Sequence, residues 1–184
     1  MPPVPAQPPL PVDEEAPQAT PEGVTPPTQT AGPIAPPPPR TGGLFSWPTV
    51  GKLISGYGPS AGGMHNDGIN IEAPLGTPVT AAEAGVVAYA GNELRGFGNL
   101  LLVRHQGGWM TAYAHNNELL VKRGQRVARG QMIARVGRTG NVEQPQLHFE
   151  IRKGTDAIDP MKFLGAPPSS VSRAAGPVAL PGPG

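Results

Sequence analysis

The sequence predicts an all-β domain, a compact and mostly antiparallel sheet of sandwich or barrel-like form, carried between two Pro-rich disordered tails. Three observations predict it. All nine aromatic residues and all four histidines fall between Phe45 and Phe163, whereas 15 of the 26 prolines precede Thr41. Between those limits, short β-rich runs alternate with Gly, Asn and Pro, as strands bounded by turns do. No window sustains the 3.6-residue apolar period of an amphipathic helix.

Residues 1–43 read as a disordered linker. Pro-Pro pairs and the Pro36-Pro37-Pro38-Pro39 run favour extended polyproline II, and too little apolar surface is present to offset ordering entropy. Fully stretched, such a segment reaches roughly 130 Å at ~3.1 Å per residue. The folded domain is expected over 44–164, about 120 residues, enough to bury roughly two-thirds of its unfolded surface. Residues 165–184 read as a disordered Pro/Gly/Ala tail.

Within the domain, strands are expected at 52–57, 68–73, 78–81, 86–90, 100–105, 109–115, 132–136 and 147–152. Gly107-Gly108, between two strong runs, signals a hairpin. Strand alternation then sorts the side chains. Leu147, Phe149 and Ile151 share one face, and Gln146, His148 and Glu150 the other. Ile69 and Ile71 face one way, Asn70 and Glu72 the other. His115 falls on the side of Thr111 and Tyr113. Period two thus allows His148, Gln146, His115 and Asn70 to project into one groove. His105, at a strand end, is expected in a turn without a role. Glu150 and Arg152 read as a surface pair, and Trp109 and Phe149 as core.

Composition excludes several classes. A net charge of +1 with no basic stripe gives no case for nucleic acid. No apolar run approaches the ~20 residues that span a bilayer as a helix. The absence of cysteine rules out disulfides and thiolate metal sites. Met1 is followed directly by the Pro-rich stretch, without the basic and apolar regions of a secretion signal, so the chain is expected to be a piece of a longer protein.

An ordered set of short motifs carries a resemblance. Ser55-Gly56-Tyr57-Gly58, Asn66-Asp67-Gly68-Ile69-Asn70-Ile71 and Gly76-Thr77-Pro78-Val79 open it. Ala84-Gly85-Val86-Val87, Gly98-Asn99, Ala112-Tyr113-Ala114-His115, Gly130-Gln131 and Leu147-His148-Phe149-Glu150-Ile151-Arg152 continue it. Over about 45–164 the chain resembles the lysostaphin-type (LytM) zinc endopeptidases of the bacterial cell wall. The resemblance implies a groove over a zinc ion. In active members the zinc is held by a His, an Asp four residues on, and the second His of a His-x-His pair. The first His of that pair and the His of Tyr-Ala-His assist. Catalytic zinc needs three protein ligands and an open position for the water it activates.

Here the set is broken. Asn66 stands at the first ligand position, Asn70 at the Asp position, and Gln146 at the first His of the pair; His148 and His115 remain. The domain is therefore read as a degenerate one, with no catalytic residue and no cofactor expected. A second route to metal joins His148 with His65 and Asp67, through a one-residue bulge. Tyr89 to Asn99 with 112–116 is similar to the NlpD branch of the family, and 66–71 to DipM-type division factors. These imply an activator of peptidoglycan amidases (N-acetylmuramoyl-L-alanine amidases) in the cell envelope or periplasm. Its groove-binding residues would be His65, Asn66, Asn70, Arg95, His115, Gln146 and His148. Two alternatives stand beside it: an active zinc endopeptidase cutting peptidoglycan cross-links, and a peptidoglycan-binding localisation module. A monomer is expected.

Overall fold

The structure, a computed structural model, describes residues 33–168 and the backbone pairing of Ser172–Arg173. Most of the linker expected over 1–43, and most of the tail after 164, lies outside the described residues.

Among the described residues thirteen strands follow in order. They are β1 (Lys52–Ser55), β2 (Gly58–Pro59), β3 (His65–Asn66), β4 (Ile69–Glu72), β5 (Pro78–Thr80), β6 (Gly85–Gly91), β7 (Asn99–His105), β8 (Trp109–Leu119), β9 (Arg126–Val127), β10 (Met132–Val136), β11 (Gln146–Lys153), β12 (Asp156–Ile158) and β13 (Ser172–Arg173). The main sheet runs β13-β1-β4-β11-β8-β7-β6-β9, and β10 joins the far end of β8 to β5. Every named pairing in it is antiparallel except β1 with β13. β2 and β3 form a separate ribbon beside the sheet.

All eight expected strands are present, and Gly107 and Gly108 turn the β7–β8 hairpin at φ 82° and 76°. The five others are only two or three residues long, too short for a periodicity signal.

One face of the sheet closes the core. Ile69, Ile71, Leu101, Val103, Tyr113, Leu147, Phe149 and Ile151 are fully buried there, together with Phe45, Val79 and Ile133. Register puts Tyr113 opposite Phe149, and their rings pack at 5.4 Å between centroids. Trp109 packs as expected at the core margin, against Phe45 and Phe163.

His105 is not in a turn. It ends β7 and is buried, with Nδ1 donating to the Ala84 carbonyl (2.8 Å) and Nε2 bonded to the Thr111 hydroxyl (2.8 Å). Thr111 bonds in turn to the Tyr113 hydroxyl, which accepts from the Ala82 amide. Three polar side chains thus satisfy one another inside the core, as buried polar groups must. Sequence alternation cannot reveal this, because the partners come from three separate segments.

Contacts of the domain reach past 44–164 on both sides. The Thr41 amide and hydroxyl both bond to Glu83 Oε1 (3.0 and 2.7 Å), and Arg129 pairs with Glu83 Oε2 at 3.1 Å. The Arg40 guanidinium stacks over Phe45 and Trp109. Burial pushes the Glu83 carboxyl up, but bonds from Thr41 and Ala84 and the Arg129 charge outweigh it and hold the group below its usual value. Beyond residue 164, the Gly165 carbonyl accepts from the Trp47 indole N–H at 2.9 Å.

Candidate functional site: a polar groove with an amide chain on its floor

The other face of the sheet carries the groove. Antiparallel pairing sets His148 opposite both Asn70 and Ala114, and Gln146 opposite Glu72. Opposed residues in such a ladder point to the same side. Asn70, Gln146 and His148 therefore share a floor. The groove has a volume of about 780 Å³, and Ile54, Ser55, Met64, Phe97, Asn141 and Glu143 line it around that floor.

His115 reaches this floor by a different route from the one alternation suggests. Tyr113 lies on the core face, and strict alternation would send His115 there too. Instead β8 carries a bulge: Leu101 pairs with Tyr113 but Asn99 with Asn116, which inserts one residue. His115 takes up the insertion with φ 65°, and among the described residues it is the one non-glycine at positive φ. A bulge of this kind re-aims a side chain across the sheet. The ring then stands 6.1 Å from that of His148. Its Nδ1–H donates to the Thr139 carbonyl at 2.8 Å, which leaves the Nε2 lone pair facing the groove. Burial is the main cause that holds His115 below the usual histidine value, with the charge of His148 adding to it and the Thr139 bond opposing.

The three substituted positions are joined to each other. Asn66 Nδ2 donates to Asn70 Oδ1 (3.0 Å), and Asn70 Nδ2 donates to Gln146 Oε1 (2.7 Å). Gln146 Nε2 approaches the Gln144 carbonyl at 3.4 Å. The backbone sets the direction of this chain. Asn66 Nδ2 also donates to the Gly56 carbonyl (2.9 Å) and to Ser55 Oγ (3.0 Å), while its Oδ1 accepts from the Gly68 amide (3.2 Å). A carbonyl only accepts and an amide N–H only donates, so Asn66 has one orientation and the amides after it follow.

His148 sits beside the chain, with Nδ1 3.2 Å from Asn70 Oδ1 and Nε2 3.0 Å from Glu150 Oε1. Both ring nitrogens face oxygens, so neither nitrogen is offered to the groove. Glu150 is buried, contrary to the surface pair expected from sequence; its other oxygen takes Arg152 at 2.7 Å. Burial pushes its carboxyl up, and the bonds from His148 and Arg152 more than reverse this, leaving it below the usual value. Period two marks Glu150 as a neighbour of His148, but it does not show that the Gly68 backbone lies directly against Phe149 and Glu150.

Of the groove residues expected from sequence, the structure gathers Asn66, Asn70, Gln146, His148 and His115 on the floor. His65 lines the rim, half exposed, bonded to Asp67 at 3.0 Å and edge-on to Tyr57. Arg95 is exposed on a short 3₁₀ turn, Arg95–Phe97, and it is Gly96 and Phe97 of that turn that line the groove. Sequence reasoning misses Phe97 and Met64 as walls, and Thr139 as the anchor of His115, because these sit in loops whose placement depends on distant packing.

This donor set does not fit zinc. Asn66 and Asn70 offer neutral amide oxygens that already accept hydrogen bonds, and both nitrogens of His148 are engaged. The alternative trio is not assembled either, since His65 and Asp67 turn to each other and His148 to Asn70 and Glu150. Among the described residues, no group of three or more His, Cys, Asp or Glu is arranged to hold a metal ion.

Comparison with known proteins places the chain. The cell division protein DipM of Caulobacter vibrioides is 49% identical over 120 residues, covering 65% of this chain and 20% of that protein. The murein hydrolase activator NlpD of Escherichia coli is 44% identical over 120 residues, covering 65% of this chain and 31% of its own length. The chain thus spans less than a third of either relative. The catalytic domain of the antimicrobial peptidase lysostaphin from Staphylococcus simulans superposes with a TM-score of 0.56 at 35% identity, over 60% of this chain and 90% of that domain. The model of peptidase family M23 matches residues 64–160, more than half of the sequence. On that match and on the lysostaphin-like fold around the groove, this chain belongs to peptidase family M23.

Proposed function

We propose that this chain is a non-catalytic factor of the bacterial cell envelope, acting in the periplasm, that activates peptidoglycan amidases during cell division and wall remodelling. The observation that carries it is the amide chain from Asn66 through Asn70 to Gln146. It stands where an active member of the family needs a metal and leaves the groove preformed but without a Lewis acid or an activated water. The names of the relatives, a cell division protein and a murein hydrolase activator, support the same reading.

An activator of this kind works by differential affinity. Its groove binds an amidase better in the open state than in the closed one and shifts the population accordingly. The domain acts as a monomer, has no nucleic-acid ligand and holds no zinc. The test mixes the purified chain with candidate amidases and dye-labelled sacculi. Expected are dye release that depends on both proteins, no release by the chain alone, and no response to chelator. Stoichiometric zinc with muropeptide cleavage by the chain alone, both lost in His148→Ala, would overturn the assignment in favour of an endopeptidase. Sacculus binding without stimulation of any amidase would reduce it to a localisation module.

A further inference from the structure

The bulge at His115 is costly. A left-handed conformation crowds the Cβ of a non-glycine residue against a backbone carbonyl oxygen. The bulge also leaves Asn116 Oδ1 buried without a hydrogen-bond partner among the described residues, although Asn116 Nδ2 bonds to the Asn99 and Tyr113 carbonyls. An unsatisfied buried acceptor adds to that cost. What these costs secure is the position of one atom. With Nδ1–H fixed on the Thr139 carbonyl, Nε2 is held as a lone pair on the groove floor. Around it Asn66 and Asn70 bond to each other, and His148 turns both nitrogens to oxygens. Among the described floor residues, Nε2 of His115 is therefore an imidazole acceptor left without a hydrogen-bond partner.

We propose that His115 Nε2 is the atom by which the groove reads its partner: it accepts a neutral N–H, from a backbone amide or an amide or indole side chain, of the amidase segment that enters past Met64 and Phe97. The inference builds on the activator assignment. Those two side chains are 70% and 38% exposed at the groove wall and supply apolar contact for the same segment. The donor is neutral because the floor offers no free carboxylate to pair with an ammonium or guanidinium: it is built of amides and imidazole rings, and both oxygens of Glu150 are already taken, by His148 and Arg152.

The variant that isolates this atom is His115→Asn. Asparagine tolerates the left-handed region and reaches the Thr139 carbonyl with its own N–H, but has no atom where Nε2 stands. With the full chain and an amidase that it stimulates, H115N is expected to keep its melting temperature and lose about tenfold in affinity, the scale of one buried hydrogen bond. The loss should be the same at low and high salt. In ¹⁵N spectra of the histidine rings, the unprotonated Nε2 of His115 should shift on complex formation while Nδ1 stays protonated. Unchanged affinity of a folded H115N, or an Nε2 signal unmoved in the complex, would overturn the inference while leaving the activator assignment intact. A loss that shrinks with salt would overturn the neutral donor. If the wild-type chain stimulates no amidase, the assignment itself has failed, and this experiment separates the two.

Discussion

At His115 a single backbone angle decides which side of the sheet the imidazole serves. Its strain is measurable as a difference between two truncations. His115→Ala and His115→Gly both lose the ring and the Thr139 bond, but only alanine keeps the left-handed penalty. His115→Gly is expected to be more stable than His115→Ala by about 1 kcal/mol in urea denaturation, the reverse of the usual order for a strand. His105 makes a second prediction at this scale. Burial depresses it from 6.5, with the Ala84 bond and the charge of Glu83 opposing. A histidine depressed in the folded state leaves stability intact above its unfolded value. As the pH falls below 6.5 the unfolded chain takes up protons first, and stability is lost progressively down to the folded value. His115 is depressed too and adds to the slope. The urea midpoint should therefore fall between about pH 7 and pH 5, and less steeply in His105→Gln.

Gly68 shows why β3, β4 and β11 must be considered together. A Cβ there would lie 2.1 Å from the Phe149 carbonyl oxygen, so only glycine lets the turn before β4 lie on β11. Gly68→Ala should cost about 1–3 kcal/mol as an overpacking change. It should also loosen Asn66, whose Oδ1 takes the Gly68 amide, and so the amide chain. Chemical denaturation and the side-chain amide signals of Asn66 and Asn70 in NMR check the two effects. Part of this arrangement is legible in the amino-acid sequence. Alternation places Asn70, Gln146 and His148 on one face because each lies in a regular, antiparallel-paired run. For His115 alternation reaches the groove by a wrong path, since it assigns the ring to the Tyr113 side, and the bulge that moves it has no periodic signature. The bonds among Asn66, Asn70 and Gln146 are equally hidden. Residues 4 and 76 positions apart meet only through register, and whether polar side chains bond or merely adjoin is a matter of tenths of an ångström.

For the molecule as a whole, Glu83 ties the entering chain to the domain. It is fully buried and holds Thr41, Arg129 and the Ala84 amide at once. Removing one partner of a buried charge cluster is far more costly than removing a surface pair, so Glu83→Ala should cost about 3–5 kcal/mol. Thr41→Ala should cost about 1 kcal/mol and open 33–41 to limited proteolysis while 44–164 stays resistant. Cleavage at 33–41 no faster than in wild type would show that the Thr41 contact does not hold this segment. Composition marks where proline ends and aromatic residues begin, but not this anchorage, because Glu83 lies 42 residues from Thr41.

The anchorage has a mechanical consequence. Arg40 stacks on Trp109, at the start of β8, whereas His115 stands six residues further along that strand, roughly 20 Å away at ~3.3 Å per residue. A pull arriving through residues 33–41 is therefore loaded onto Thr41, Glu83 and Arg129 and enters the sheet at the end remote from the groove. Under tension the short strap would peel from Glu83 before the long ladders of β11 and β8 were sheared. The groove keeps its shape while the strap yields.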